Sequence, residues 1–391
     1  MLIIGKKNTN DLSLLVRRGG ICYNKINMNI LHTTSKYPIG IDISDSAIKL
    51  AQLKRSGHNI TIQAISRIGL PEEIIKFGVI KKQAELVGFL KKAIKETIAG
   101  KITSQEAIIC LPETKTFTKL IEIKNSNPNI NDVILDEIEK NIPYQIKEVN
   151  HDWQTMRKDK NSSEILISAT PKKIADSYYN VTQEAGLTPV ALEPEPLAIT
   201  RALLPLNQRI KNTVVIIDIG TKYANFIAHA NGSVLFTSSI PTSGDNITKA
   251  ISEKLKISGE QAESAKIVCG LNQEEIKEVI EKELAQKIKK IFTYLTANYP
   301  KYSQVSNIYL CGGGAYIKGF SEALSGQLKI NTEKGNIFTN ISLNQKKENQ
   351  FFSKEFVTSK KLTPENKVTR NFSLIFATAI GLAIRGAHYE I

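Results

Sequence analysis

The sequence has no apolar run approaching the ~20 residues that a membrane-spanning helix requires; even Val214–Ile217 meets Asp218 at once. Any association with a membrane is therefore expected to be indirect. Four cysteines are present, Cys22, Cys110, Cys269 and Cys311, with no CxxC pair and no histidine at metal-ligand spacing. That pattern gives no support to a zinc module or a disulfide framework and fits a reducing compartment. Near the start, Lys6, Lys7, Arg17 and Arg18 flank the short run Leu12–Val16, but Asp11 and Ser13 break it and no small-residue cleavage site follows, which argues against a signal peptide. Residues 1–36 are expected to be a flexible leader, with Met28 as a second candidate start of translation. An arginine-rich stripe with interleaved aromatics is also missing. The net charge of +14 is concentrated, with +5 in residues 1–36 and +4 in residues 331–370, so it reads as a lysine-rich solvated surface and not as a nucleic-acid-binding face.

What is present is the composition of a folded globular protein, 41% hydrophobic and 23% charged, in a chain of 391 residues that suits two lobes. From Ile39 the pattern is strand-like. Ile39–Ile43, Ile48–Lys54 and Ile60–Ile68 are separated by turn formers and read as an antiparallel meander. A helical stripe (Leu86, Phe89, Leu90, Ala93, Ile94, Ile98) and a buried strand, Ala107–Leu111, follow. A compact unit comes next: strand Phe117–Ile123, a helix over 131–142, and strands Val149–Met156 and Ile165–Ala169. The second half repeats the opening with strands Val214–Ile219, Ala224–His229 and Val234–Ile240, then helices over 244–255, 259–266 and 273–298, strand Ile308–Cys311 and a helix over 317–328. The expected organisation is α/β. Residues 37–115 with 170–205 form one lobe, 116–169 an insert, 206–330 a second lobe, 331–370 a polar insertion and 371–391 a closing helix.

Three segments carry chemistry together. Ile41-Asp42-Ile43-Ser44-Asp45-Ser46-Ala47-Ile48-Lys49 is a strand ending in an aspartate and small polar residues, returning as a strand with a lysine. Ile217-Asp218-Ile219-Gly220-Thr221 repeats that device in the second half. Leu310-Cys311-Gly312-Gly313-Gly314-Ala315 is a buried strand that breaks into glycines before a helix. Tight turns of small residues let backbone N–H groups approach phosphate oxygens, and two carboxylates facing each other would hold hydrated Mg²⁺. Each segment alone is only a strand end; the duplicated set points to a nucleotide held between two lobes.

On these residues the chain resembles the superfamily of actin, heat-shock chaperones and sugar kinases, which implies a duplicated, ribonuclease H-like, two-lobed actin-like fold closing on ATP. The strand–helix–strand–strand insert looks like the SHS2 subdomain shared by FtsA and PilM proteins. Asn141-Ile142-Pro143-Tyr144-Gln145-Ile146-Lys147-Glu148-Val149-Asn150-His151-Asp152-Trp153, Ser239-Ile240-Pro241-Thr242-Ser243-Gly244-Asp245 and Ala379-Ile380-Gly381-Leu382-Ala383-Ile384-Arg385 are similar to stretches of the PilM family of type IV pilus assembly proteins. The resemblance covers roughly Tyr37 to Gly386. It implies ATP and Mg²⁺ as cofactors. Asp42, Ser44, Ser46 and Lys49 would lie on the phosphates from one side and Asp218, Gly220 and Thr221 from the other, with Mg²⁺ held through water by Asp42 and Asp218. Gly312, Gly313 and Gly314 would lie along the adenosine end, and Glu263 and Lys266 would clasp it; read from spacing alone, that last pair is a solvent-exposed i,i+3 ion pair. The resemblance also implies a cytoplasmic protein peripheral to the inner face of the cell membrane. It would bind the PilN N-terminal peptide near the insert, with pilus motor ATPases and further copies of the chain as additional partners. Ser44 and Asp45 depart from the glycine and serine of the family, and a carboxylate aimed at a triphosphate would weaken nucleotide binding. The alternatives are an FtsA-like division protein, which usually ends in a basic membrane helix that the ending Arg385–Ile391 is too short to form, and a sugar or small-molecule kinase, for which no motif nominates a general base.

Overall fold

Two sheets built to one plan carry the molecule. The computed structural model describes residues 37–342 and 370–388, apart from 57–58, 125–128, 143, 209, 211, 241–242, 281–283 and 285. The expected leader and the most lysine-rich stretch, 343–369, lie outside the described residues.

In the first lobe β1 (Ile39–Ile43), β2 (Ala47–Ser56) and β3 (Asn59–Gly69) form the expected meander. Two-residue strands β4 (Ile75–Lys76) and β5 (Val79–Ile80) make a small hairpin, followed by α1 (Gln83–Lys95), β6 (Ala99–Gly100) and β7 (Glu106–Leu111). The insert is β8 (Phe117–Lys124), α2 (Ile130–Asn141), β9 (Val149–Lys158) and β10 (Ser162–Pro171). The chain returns through α3 (Lys172–Glu184), β11 (Thr188–Pro194) and α4 (Glu195–Leu203). The second lobe comprises β12 (Thr213–Ile219), β13 (Ala224–Ala230), β14 (Ser233–Ile240), α5 (Gly244–Leu255), α6 (Gly259–Val268), α7 (Glu274–Ile280), α8 (Gln286–Asn298), β15 (Val305–Cys311), α9 (Phe320–Leu328) and β16 (Asn331–Lys334). Helix α10 (Ala377–His388) follows.

The strand order β11-β7-β1-β2-β3 of one sheet is matched by β16-β15-β12-β13-β14 of the other. In both, the meander is antiparallel and the two outer strands are parallel, so the halves are related strand for strand. Strand β1 is buried along its whole length because α10 covers it. A Cβ on Gly40 would sit 2.0 Å from the carbonyl oxygen of Ala379, and one on Gly381 would sit 1.8 Å from that of Ala198. These glycines let α10 lie against β1 and α4 at backbone distance. Helix α10 is apolar nearly all round, as a helix buried on every side must be. Its buried Arg385 is satisfied by Glu193 of β11, which Arg201 of α4 also grips at 2.5 Å.

Three expectations need correction. The insert interrupts the first lobe in sequence, but its sheet continues the second: β8 pairs with β14 at Phe236↔Lys119, giving an eight-stranded sheet that ends at β9. Glu164 of β10 anchors this junction, accepting from Tyr302 Oη at 2.6 Å and Lys301 Nζ at 3.0 Å. In this sheet β9 lies at the edge and β8 is internal. Second, residues 331–342 are not part of a polar insertion: β16 pairs with β15, Ile337 and Ile341 are buried, and Asn340 caps the end of α4 through the carbonyls of Arg201 and Leu204. An edge strand such as Asn331-Thr332-Glu333-Lys334 buries little, so its polarity hid it. Third, Ile98 of the helical stripe falls beyond α1, on a bend that gives its N–H to Ile65.

Candidate functional site

Each lobe contributes the C-terminal end of its central strand and the turn that follows. In the first lobe Asp42 lies opposite Lys49 in the β1–β2 ladder, and the two meet as a buried ion pair at 2.6 Å. Burial alone would lower the Lys49 ammonium, but the charge and hydrogen bond of Asp42, and then the charges of Asp218 and Glu195, outweigh it and raise it. In the second lobe Asp218 occupies the corresponding place and lies opposite Asn225. Burial pushes the Asp218 carboxyl up to about 6; Lys49 pulls it down, Asp42 pushes it up, and a hydrogen bond from Cys311 steadies the ionised form. Asp42, Lys49 and Asp218 thus share one electrostatic site between the lobes.

The first turn is tied up internally. Ser44 Oγ donates to the Ala47 carbonyl at 3.0 Å and accepts from the Ala47 N–H at 3.2 Å, while the Ser46 carbonyl accepts from Leu70 N–H at 2.8 Å. Asp45 is not aimed at the crevice. Its two oxygens accept from the Phe77 and Gly78 N–H groups at the tip of the β4–β5 hairpin, at 2.6 and 2.9 Å. The Asp45 carboxylate is thus turned onto the hairpin's N–H groups, which partly offset its charge. In the second turn, the Gly220 and Thr221 carbonyls accept from the first N–H groups of α5, those of Gly244 and Asp245, at 3.0 and 3.1 Å.

Lys266 is buried, contrary to a solvent-exposed pair. Its ammonium donates to Glu263 at 2.7 Å, to Thr248 Oγ1 at 2.7 Å and to the Gly244 carbonyl at 3.0 Å, joining α6 to α5 beside the second turn. The three glycines after β15 do different work. Gly312 has φ +74° and a Cβ there would lie 2.3 Å from Asp218 Oδ1; a Cβ on Gly314 would lie 2.2 Å from Ile219 Cγ2; Gly313 faces open space. Two of the glycines therefore exist for close packing against β12, and one remains for a ligand to approach.

Two site residues escaped the sequence reading. Glu195, the first residue of α4, has an oxygen within 4.8 Å of Asp42 and of Cys110 Sγ, and accepts from Asn225 Nδ2 at 3.2 Å. Burial, then the charges of Asp218 and Asp42, push its carboxyl well above the usual range. Asn225 is the other. Asp218, Asn225 and Ser239 form one rung across β12, β13 and β14, and Asn225 Oδ1 and Ser239 Oγ are buried without a hydrogen-bond partner among the described residues. Three carboxylates and one ammonium around open hydrogen-bonding groups suit a hydrated cation and an anion that it neutralises.

A sequence profile of the family described as type IV pilus assembly protein PilM matches residues 40–387. The chain belongs to the PilM family. Among solved structures it is similar to a chain of a PilM–PilN type IV pilus biogenesis complex, with TM-score 0.73 and 21% identity over 90% of this chain and 99% of that one. Lower similarities are to ethanolamine utilization protein EutJ from Carboxydothermus hydrogenoformans (TM-score 0.49, 17% identity, 89% of each chain) and to MreB5 of Spiroplasma citri bound to AMPPNP (TM-score 0.48, 13% identity, 78% of this chain and 93% of that one). The two-lobed actin-like fold expected from the duplicated strands stands, and PilM membership is favoured over the division-protein and sugar-kinase alternatives. Among the described residues of this PilM-family chain, no helix is long and apolar enough to cross a membrane.

Proposed function

We propose that this PilM-family chain is a cytoplasmic, membrane-peripheral scaffold of type IV pilus assembly that holds Mg²⁺–ATP between its lobes and binds the N-terminal peptide of the inner-membrane protein PilN. The nucleotide half rests on one observation: Asp42 and Asp218, at matching rungs of two sheets with the same strand order, act on the same Lys49. The oxygen-rich donor set fits a hard cation. Asp42 and Asp218 would hold Mg²⁺ through water, and the ion would neutralise phosphate charge. Lys49 would meet a phosphate oxygen, the turns at Ser44–Ser46 and Gly220–Thr221 would flank the phosphates, and Gly313 with the Glu263–Lys266 clasp would border the adenosine. Glu195 would orient a water or accept its proton, which makes any turnover depend on that carboxylate.

The PilN half is supported by family membership and by the complex to which the chain is similar, whose name contains PilN. The edge position of β9 offers a site for strand addition by a peptide. Calorimetric titration of the whole chain with ATP, with Mg²⁺ or with chelator, followed by the PilN N-terminal peptide, tests both halves. Mg²⁺-dependent ATP binding and a peptide complex are expected. No heat from ATP would remove the nucleotide reading, and no peptide binding with or without ATP would remove the PilN reading.

A further inference from the structure

Between the two turns lies a feature that phosphate binding does not require. The β4–β5 hairpin is too short to be stable by itself, with two residues in each strand, yet its tip is fixed by three side chains through four hydrogen bonds. Asp45 holds the Phe77 and Gly78 N–H groups, Thr114 Oγ1 donates to the Phe77 carbonyl at 3.3 Å, and Tyr178 Oη donates to the Gly78 carbonyl at 3.2 Å. Gly78 has φ +72°, and a Cβ on it would lie 2.8 Å from Pro112. Phe77 itself adopts φ +53°, a left-handed conformation that a bulky residue rarely takes, and its ring is 55% exposed. A strained, exposed aromatic on a tip held by three side chains calls for a partner.

That partner is the second lobe. The Phe77 ring lies against Tyr223, with centroids 6.0 Å apart and planes tilted by 59°. Beside it Glu72, on the segment leading into the hairpin, meets Lys222 at 2.6 Å, and Lys222 is braced from its own lobe by Asp245 at 2.7 Å. Lys222 and Tyr223 directly follow Gly220–Thr221. The hairpin and the segment before it therefore run from the turn after Asp42, held through Asp45, to the turn after Asp218, touched by Phe77 and Glu72.

We propose that the Ile75–Ile80 hairpin is a gate across the mouth of the interlobe crevice, anchored to the first lobe by Asp45 and latched to the second by Glu72–Lys222 and Phe77–Tyr223. The occupant of the crevice enters and leaves only when those two contacts part. Both are exposed and individually weak, so the latch opens without unfolding either lobe. Asp45, which with Ser44 departs from the family's glycine and serine, is thereby a positioning residue for the gate. The gate rests on the nucleotide reading only for the identity of what passes through it.

Two thiols report on opening without any ligand. Cys110 lies beside Asp42 and Glu195, and Cys311 donates to Asp218; both are buried next to the site's carboxylates, whereas Cys269 is partly exposed elsewhere. In the full chain, alkylation by N-ethylmaleimide, mapped by peptide mass spectrometry, is compared for wild type, Asp45→Ala, and Glu72→Gln combined with Tyr223→Ala. Glu72 is 83% exposed, so its exchange leaves the fold intact. Modification of Cys110 and Cys311 is expected to accelerate about tenfold in both variants, with Cys269 unchanged, the size that one aromatic pair and one surface ion pair allow together. In parallel, a fluorescent ATP analogue is expected to associate and dissociate faster by a similar factor. Unchanged rates at both thiols would overturn the gate. A wild type that binds no nucleotide while its variants still show faster thiol modification would overturn the nucleotide reading and leave the gate standing.

Discussion

The two lobes carry the same strand order and the same aspartate, yet they treat its charge in opposite ways. In the first lobe the residue across the ladder is a lysine, and Asp42 is paired at 2.6 Å. In the second it is an asparagine whose amide is turned to Glu195, and Asp218 is left with a thiol donor and a carboxyl raised to about 6. The turns differ likewise: the first is closed on itself by Ser44 and on the hairpin by Asp45, while the second spends its carbonyls on the start of α5. The first lobe pairs its own aspartate, and the second leaves a carboxylate whose charge the proposed cation would offset. A duplicated fold can thus hold its geometry constant and divide roles by one cross-strand substitution.

The strongest test of the first half of this contrast is Lys49→Met. Removing one member of a buried pair strands the other charge, so unfolding of the variant is expected to be easier by about 3–4 kcal/mol. Asp42→Asn in the same chain should recover most of the loss; chemical denaturation of the single and double variants measures both.

Gly312→Ala comes next. The first lobe leaves β7 through Pro112 into the insert, whereas the second leaves β15 through Gly312 at φ +74° against Asp218. An alanine there is strained and crowds the carboxylate, at a cost of about 2–3 kcal/mol. The corresponding change at Gly313, which faces open space, should cost well under 1 kcal/mol.

A smaller effect tests the uncompensated charge of the second lobe by pH. The folded-state pKa of Asp218 lies above its unfolded value, so between about pH 4 and 6 the folded form holds more protons. In the absence of a divalent cation, stability contributed by this group therefore falls as pH rises through that window. Asp218→Asn removes the effect. The variant is expected to exceed wild type by about 1–2 kcal/mol above pH 6, with the difference vanishing near pH 4, as read from denaturation midpoints across pH.

Smallest is Lys266→Met, which releases the tie between α5 and α6 that the first lobe lacks. The loss of a buried ammonium with three acceptors is partly offset because Glu263 stays accessible to water, leaving about 1 kcal/mol. A drop in melting temperature of a few degrees is the readout.

Much of this was visible in the sequence because it is local. Strand alternation, Asp42 and Asp218 at strand ends, and the glycine run after Cys311 are short-range signals, and their repetition gave the lobes. The remainder depends on distance along the chain. Glu195 stands between Pro194 and Pro196 at the start of a helix, where an acidic residue is ordinary, and only the fold brings it to Asp42. Glu193 and Arg385 are 192 positions apart. The role of Asp45 depends on a hairpin whose strands have two residues each, too short for any periodicity to mark. The junction of insert and second lobe combines one ladder pair, Phe236↔Lys119, with the bonds of Tyr302 and Lys301 to Glu164, and no pattern in the strands specifies either.

In the proposed function one cation-bound nucleotide sits between Asp42 and Asp218, with the second aspartate bearing the need for the cation. Calorimetry of ATP binding by wild type, Asp42→Asn and Asp218→Asn, each with Mg²⁺ and with chelator, tests it most directly. Wild type should bind in Mg²⁺ and lose about 10- to 100-fold in affinity in chelator, and Asp218→Asn should be weak and insensitive to Mg²⁺. Equal, Mg²⁺-dependent binding by wild type and Asp218→Asn would contradict the account.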